Sequence, residues 1–236
     1  MKKTIFVLLF LSISAFAQLS EQSLNTVSKF GMAGGVSFNY LFPNISPLNS
    51  ELKKSNMPEF PTSLITFGGS GYVYVLFVRN LRLGGFGYGG SEEVSKQNRS
   101  SHLSISGGGI TIEYTLPQIK GIAVSLGSVI GGGKINCDLF EFNENLTWVG
   151  IWDEFNGNSR VKHLNFYKTY FLLMPTVNAE ILLNRFIAFR IGAGYQIPLF
   201  GNWKTNDNIE LSGVPNDLTS RGFVFTTGLL IGLFVF

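Results

Sequence analysis

Along residues 187–197 every odd position (Ile187, Phe189, Ile191, Ala193, Tyr195, Ile197) is apolar, while Ala188, Arg190, Gly192, Gly194 and Gln196 between them are small or polar. Period two puts successive side chains on opposite faces of an extended chain, so the segment predicts a strand about eleven residues long with one oily face. The segment before it repeats the pattern, with Phe171, Leu173, Pro175, Val177, Ala179, Ile181 and Leu183 against Tyr170, Thr176, Asn178 and Glu180. Asn184 and Arg185, between the two, read as a two-residue hairpin turn. Helical spacing is poor elsewhere, apart from a short amphipathic stretch at Leu48–Met57.

The same reading yields eight strands, at residues 30–41, 64–77, 81–90, 101–116, 121–135, 162–183, 186–198 and 221–236. Each reaches the 9–11 or so residues that cross a bilayer at a tilt. Short links at Arg79-Asn80, Pro117–Lys120 and Asn184-Arg185 alternate with long ones at 42–63, 91–100, 136–161 and 199–220, which are rich in Asn, Ser, Pro and charge. Short turns at one end and long loops at the other predict an all-β fold, an eight-stranded antiparallel up-and-down transmembrane β-barrel. An extra hairpin at Leu146–Ile151 would lengthen the strands above the membrane or raise the count to ten.

Composition agrees with a wall facing lipid. Charged residues are 14 % and hydrophobic residues 45 % of the 236, with 28 Gly and 22 Phe, against about 25 % charge in soluble proteins. A spanning sheet must satisfy its backbone groups among its own strands, so it closes. The rival architecture, a soluble closed barrel, would carry Lys and Glu along its outer strand faces. Here Thr66, Gly68, Ser70, Tyr72 and Tyr74 oppose Ile65, Phe67, Val73, Val75 and Phe77. Residues 1–17, with Lys2 and Lys3, an apolar run and Ala15 and Ala17, read as a signal peptide cut before Gln18, leaving 18–236 as one barrel domain. Removing Lys2 and Lys3 from 18 basic residues leaves 16 against 15 acidic ones, which excludes nucleic acid as a partner. Cys137, the single cysteine, reads as a small loop residue, and no metal or cofactor spacing appears.

The ending Gly232-Leu233-Phe234-Val235-Phe236 and the strand layout resemble the small eight-stranded outer-membrane barrels of Gram-negative envelopes, the OmpA and OmpX type, over residues 30–236. The resemblance implies an outer-membrane location and recognition of Phe234 and Phe236 by the barrel-assembly machinery. The usual glycine stands one place earlier than Gly232, and parity puts Phe236 on the inner face, so either a bulge shifts the register or the facing of this strand differs.

Assigning the oily face to outer-membrane lipid turns Arg82, Glu113, Glu180 and Arg190 inward near the short-turn end. Unpaired charge there costs several kcal/mol, so the reading is an ion-paired cluster that plugs the lumen, or else four charges solvated by lumen water. Inward glycines such as Gly35, Gly84, Gly107 and Gly131 ease curvature and leave room that Tyr72, Tyr74, Phe86 and Tyr88 fill.

His102-Leu103-Ser104 is the one constellation with nucleophilic chemistry, since residues two apart share a face. It resembles the His and Ser of outer-membrane lipid A deacylases, although the acid, Asp138 or Glu141, departs from that family's spacing. His163 reads as a rim residue. Trp148, Trp152, Asp153 and Glu154 form an aromatic and acidic loop patch, suited to a surface partner or to interfacial anchoring. The functional expectation is a structural or surface-interaction protein with a largely plugged lumen. The alternatives are a narrow channel or carrier for small or apolar solutes and, third, a lipid A-modifying acyl hydrolase.

Overall fold

The computed structural model describes residues 31–75, 77–116, 122–142, 161–205 and 208–234. In chain order these form β1 (Gly31–Leu41), α1 (Ser46–Lys54), β2 (Leu64–Tyr74), β3 (Leu81–Lys96), β4 (Arg99–Thr115), β5 (Ile122–Phe142), β6 (Val161–Leu182), β7 (Ile187–Leu199), β8 (Trp203–Thr205) and β9 (Gly222–Phe234). Each long strand pairs antiparallel with its neighbours; β9 pairs with both β7 and β1, and β5 with β6, so eight strands close into a barrel. The three-residue β8 adds to β6 beyond the end of β7 rather than making a further stave. Leu146–Ile151 lies outside the described residues.

Following paired residues round the wall from Lys134, through Ser106, Gly89, Phe67, Phe38, Thr227, Ile191 and Ala179, returns to β5 at Val124, ten positions nearer the short-turn end. That stagger over eight strands corresponds to a tilt of about 35–45°. The coiling brings backbones close on the inner side. A Cβ on Gly84 would stand 2.0 Å from the Gly71 carbonyl oxygen, and one on Gly131 2.1 Å from that of Gly108, so only glycine fits these inward sites.

The structure corrects several boundaries. The stretch 91–100 is not a long loop: β3 and β4 pair up to Lys96 and Arg99, around a tight turn with Gln97 at φ 56°. The β6–β7 link takes four residues, 183–186, because the Asn184 side chain accepts hydrogen bonds from the Phe186 and Ile187 amides, each at 2.8 Å. Cys137 is no loop residue; β5 continues past it, and its thiol is buried inside the barrel.

The two faces exchange character along the strands. In the lower part of β4, Ile110 (65 % exposed) and Ile112 point out while Thr111 and Glu113 are buried inside. Higher up, Leu103 and Ile105 are buried inside and Ser104 stands on the outer face. On β5, Ile122, Leu126 and Ile130 are the outward set, giving way to Lys134, Asn136 and Asp138, while Ile135 and Cys137 turn inward. The apolar outer belt on β5 thus covers the nine residues from Ile122 to Ile130, the length a spanning strand needs.

Above the belt the lumen is an apolar core of Leu41, Leu64, Leu103, Ile105, Ile135, Leu172 and Val224, closed by α1, Phe60, Trp203 and Leu218. The helix begins with Pro47 in its first turn, buries Leu48 and Leu52 on one face, and ends on Lys53 and Lys54, which complement the negative end of its dipole. Asn49 fixes it to the chain entering β2, donating to the Phe60 carbonyl (2.9 Å) and accepting from the Phe60 amide (3.0 Å).

Candidate functional site

The lower lumen holds Arg82, Glu113, Glu180 and Arg190 together, at 2, 3, 1 and 6 % exposure. Adjacent strands supply them, since Arg82 faces Glu113 across β3–β4 and Glu180 faces Arg190 across β6–β7. The contacts also run across the lumen. Arg82 Nη1 lies 2.8 Å from Glu180 Oε1 and 4.0 Å from Glu113 Oε2; Arg190 donates to Glu113 and reaches Glu180 at 3.4 Å. Two guanidinium and two carboxylate groups sum to zero, the condition under which burial of charge is tolerable.

Neutral side chains complete the cluster. Tyr72 Oη donates to Glu180 Oε2 (2.8 Å), Ser125 Oγ and Asn178 Nδ2 donate to Glu113 (3.2 and 3.3 Å), and Arg82 Nη2 donates to Tyr74 Oη (2.5 Å). The Arg82 guanidinium also lies 4.2 Å from the Tyr72 ring centroid and 4.7 Å from that of Tyr74. Ser125 and Asn178 were missed in the sequence, although their parity and depth match those of Glu113. Below them Phe234 packs beside Ala33, Tyr72, Ala188 and Leu230. The β9 ladders run in constant register to Phe234, so no bulge intervenes there; Phe236 lies outside the described residues.

Higher in the lumen, Tyr88 Oη donates to Gln196 Oε1 (2.5 Å) and Gln196 Nε2 donates to Tyr170 Oη (2.9 Å). Phe86 packs against the apolar core. Between this layer and the ionic cluster lies a void of about 20 Å³, bordered by Ser70, Thr111, Thr176, Thr226, Glu113 and Arg190. That is room for one water molecule. At the mouth, Arg99 donates to Ser55 O (2.9 Å) and Asn56 O at the end of α1, and is held by Glu141 at 2.6 Å.

His102 and Ser104 stand on the outer wall above the apolar belt. Among the described residues they share no hydrogen bond; His102 faces Asp138, with Nδ1 3.6 Å from Oδ2, and Ser104 faces Asn136. Asp138 is instead the centre of a polar cluster, accepting from Asn165 (2.6 Å) and Asn136 (2.7 Å) and hydrogen-bonded to His163 Nε2 (3.0 Å), whose ring stacks on Phe140. Burial works to raise its pKa, but the hydrogen bonds from Asn165, His163 and His102 hold it below the usual carboxylate range. Among the described residues no group of three or more His, Cys, Asp or Glu side chains is disposed to hold a metal. Trp148, Trp152, Asp153 and Glu154 lie outside the described residues.

The geometry defines a closed eight-stranded barrel, apolar outside along its lower half, with a lumen filled by an ionic cluster below and an apolar stopper above. Among solved structures the chain is similar to OprG of Pseudomonas aeruginosa (9 % identity, TM-score 0.48, covering 90 % of this chain and 100 % of that one). It is also similar to Ail, the attachment invasion locus protein of Yersinia pestis (8 %, 0.46, 86 % and 97 %) and to Neisserial surface protein A (7 %, 0.42, 88 % and 98 %). No family model and no curated protein sequence matches the chain. At these identities the likeness concerns the path of the chain alone, and the reading below rests on the wall and the lumen themselves.

Proposed function

We propose that this chain is an outer-membrane β-barrel with a non-conducting lumen, serving a structural or surface-interaction role through its long loops. The observation that carries the reading is the exchange of faces along β4, β5 and β6. A soluble barrel buries its apolar face inside along its whole length. This wall is apolar outside below Lys134 and apolar inside above it, as expected where strands leave a bilayer for water. The signal peptide expected at residues 1–17 and the aromatic ending at Phe234 and Phe236 support export and recognition by the barrel-assembly machinery. The filled lumen supports the surface role over a channel, since a water-sized void is no conduit.

The test is heat modifiability on a gel together with single-channel recording of protein refolded in detergent. The expected result is a band that shifts on boiling and a silent bilayer, in the wild type and in the charge-neutral Arg82→Ala/Glu180→Ala, because the apolar stopper above the cluster still seals the pore. Steady wild-type conductance would overturn the closed lumen in favour of a narrow channel, and protein soluble without detergent would overturn the membrane assignment.

A further inference from the structure

One sector of the outer wall carries two cations that form no ion pair among the described residues. On β5, Lys134 points outward at the upper edge of the apolar belt and lays its Nζ 4.6 Å from the centroid of the Tyr167 ring on β6. On the other side of Tyr167, directly opposite in register, stands Lys204 of β8. Its Nζ donates to Asn208 Oδ1 (3.0 Å), which also accepts from Tyr167 Oη (3.2 Å). Neither ammonium lies within ion-pair distance of a carboxylate among the described residues. Glu210, paired across the hairpin from Lys204, accepts instead from Asn202 Nδ2 at 3.1 Å.

Directly below this pair the wall turns apolar. Toward the belt from Tyr167 come Thr169, opposite Lys134, and then Phe171, 42 % exposed. Beside Phe171, where β7 ends, Phe200 adopts a left-handed backbone (φ 60°) and leaves its ring 82 % exposed. Elsewhere the upper outer edge is also aromatic: Tyr40, Phe42 and Phe225 form one edge-to-face row at the upper ends of β1 and β9, and Tyr195 with Phe223 another, with the exposed Arg221 two residues before Phe223. What marks the β5–β6–β8 sector is two ammonium groups, without an ion-pair partner among the described residues, flanking one tyrosine over two exposed phenyl rings.

We propose that this sector is a seat for a phosphate-bearing lipid of the outer leaflet, with Lys134 and Lys204 taking the phosphate and Phe171 and Phe200 meeting the acyl chains. The inference rests on the outer-membrane reading above. Lysine offers an ammonium point charge that suits phosphate at an interface, and Tyr167 holds Lys134 in place while keeping its charge. The exposed rings below explain why a lipid fits better than a free anion, since their apolar area gains nothing from a soluble phosphate.

The experiment is native mass spectrometry of the mature, refolded barrel titrated with bisphosphorylated lipid A, with its dephosphorylated analogue, and with inorganic phosphate as competitor. A juxtamembrane lysine is worth about fivefold in affinity, so Lys134→Ala or Lys204→Ala should weaken binding about fivefold and the double variant about thirtyfold. Lys134→Arg/Lys204→Arg should retain binding, Glu210→Gln should strengthen it, and Lys53→Ala/Lys54→Ala on α1 should leave it unchanged. Equal binding by wild type and double variant, or equal binding of the dephosphorylated lipid, would overturn the proposal; so would displacement by inorganic phosphate at matching concentration, which would assign a soluble anion instead. A heat-shifted gel band from each variant separates this failure from a failure of the barrel reading, which would appear as loss of the shift in the wild type.

Discussion

Removing the Glu180 carboxylate tests whether the lumen cluster is a balanced set or four charges that water could solvate. In Glu180→Ala, Arg82 loses its 2.8 Å partner, Tyr72 loses its acceptor, and two guanidinium groups are left against Glu113 alone. All four groups are nearly solvent-free, so the variant buries one uncompensated positive charge, at a cost of about 3–5 kcal/mol. With a urea dependence of about 1–3 kcal/mol per molar, that lowers the unfolding midpoint by about 1–5 M. Arg82→Ala should cost a similar amount by stranding Glu180. The double variant Arg82→Ala/Glu180→Ala restores neutrality, because Arg190 and Glu113 keep each other, with Ser125 and Asn178 still donating to Glu113. It should lose no more than the worse single variant, a coupling of about 3 kcal/mol. The assay is urea unfolding of the barrel in detergent micelles, followed by heat-modifiable mobility and tryptophan fluorescence. Additive losses, or a single-variant cost under about 1 kcal/mol, would mean that water reaches the lumen and screens these charges, and the plug would have to be abandoned.

Other consequences follow from the wall and the mouth. Gly84→Ala drives a methyl group into the Gly71 carbonyl and should cost at least about 1–3 kcal/mol or block assembly, whereas a Cβ on the outward Gly85 meets nothing closer than 3.8 Å, so Gly85→Ala should fold normally; equal gel shifts for both would refute the close approach. The hydrogen bond and charge of Arg99, followed by those of Lys162, hold Glu141 below the usual carboxylate range. A depressed carboxyl stabilises above its unfolded pKa and loses that contribution as pH falls through the folded one. Hydrogen exchange in α1 should therefore quicken only on acidification below the ordinary carboxylate range, and Arg99→Ala should remove the step. Burial, and next the Asp138 carboxylate, push the Cys137 thiol up to about 12, so maleimide should label it in urea but not in the folded barrel at neutral pH; fast labelling of the folded form would show that the stopper is commonly open.

Strand number, direction and the lower lumen were legible in the sequence because period two is local. Parity assigns Ile181 and Glu180 to opposite faces wherever the strand ends up, and four charges on inner faces near the short turns mark one depth. The alternation also carried the inversion higher up, in Leu103 and Ile105 against Ser104 and in Ile135 and Cys137 against Lys134 and Asn136. On β5, reading 136–161 as loop hid it, because Asn and Asp in long extensions look like turn residues until a neighbouring strand pairs with them; on β4 the inverted stretch lay within the expected strand 101–116. What only the tertiary structure decided are relations across the barrel. Stagger brings Arg82 to Glu180, 98 residues away, and Tyr88 to Gln196, 108 away; α1 seats Leu48 and Leu52 in an apolar mouth, and Lys204 comes beside the ring that already carries Lys134. Periodicity along one strand says which way a side chain points, but which partner it meets across the lumen depends on shear and closure, quantities that belong to the whole ring of strands and to no single segment of it.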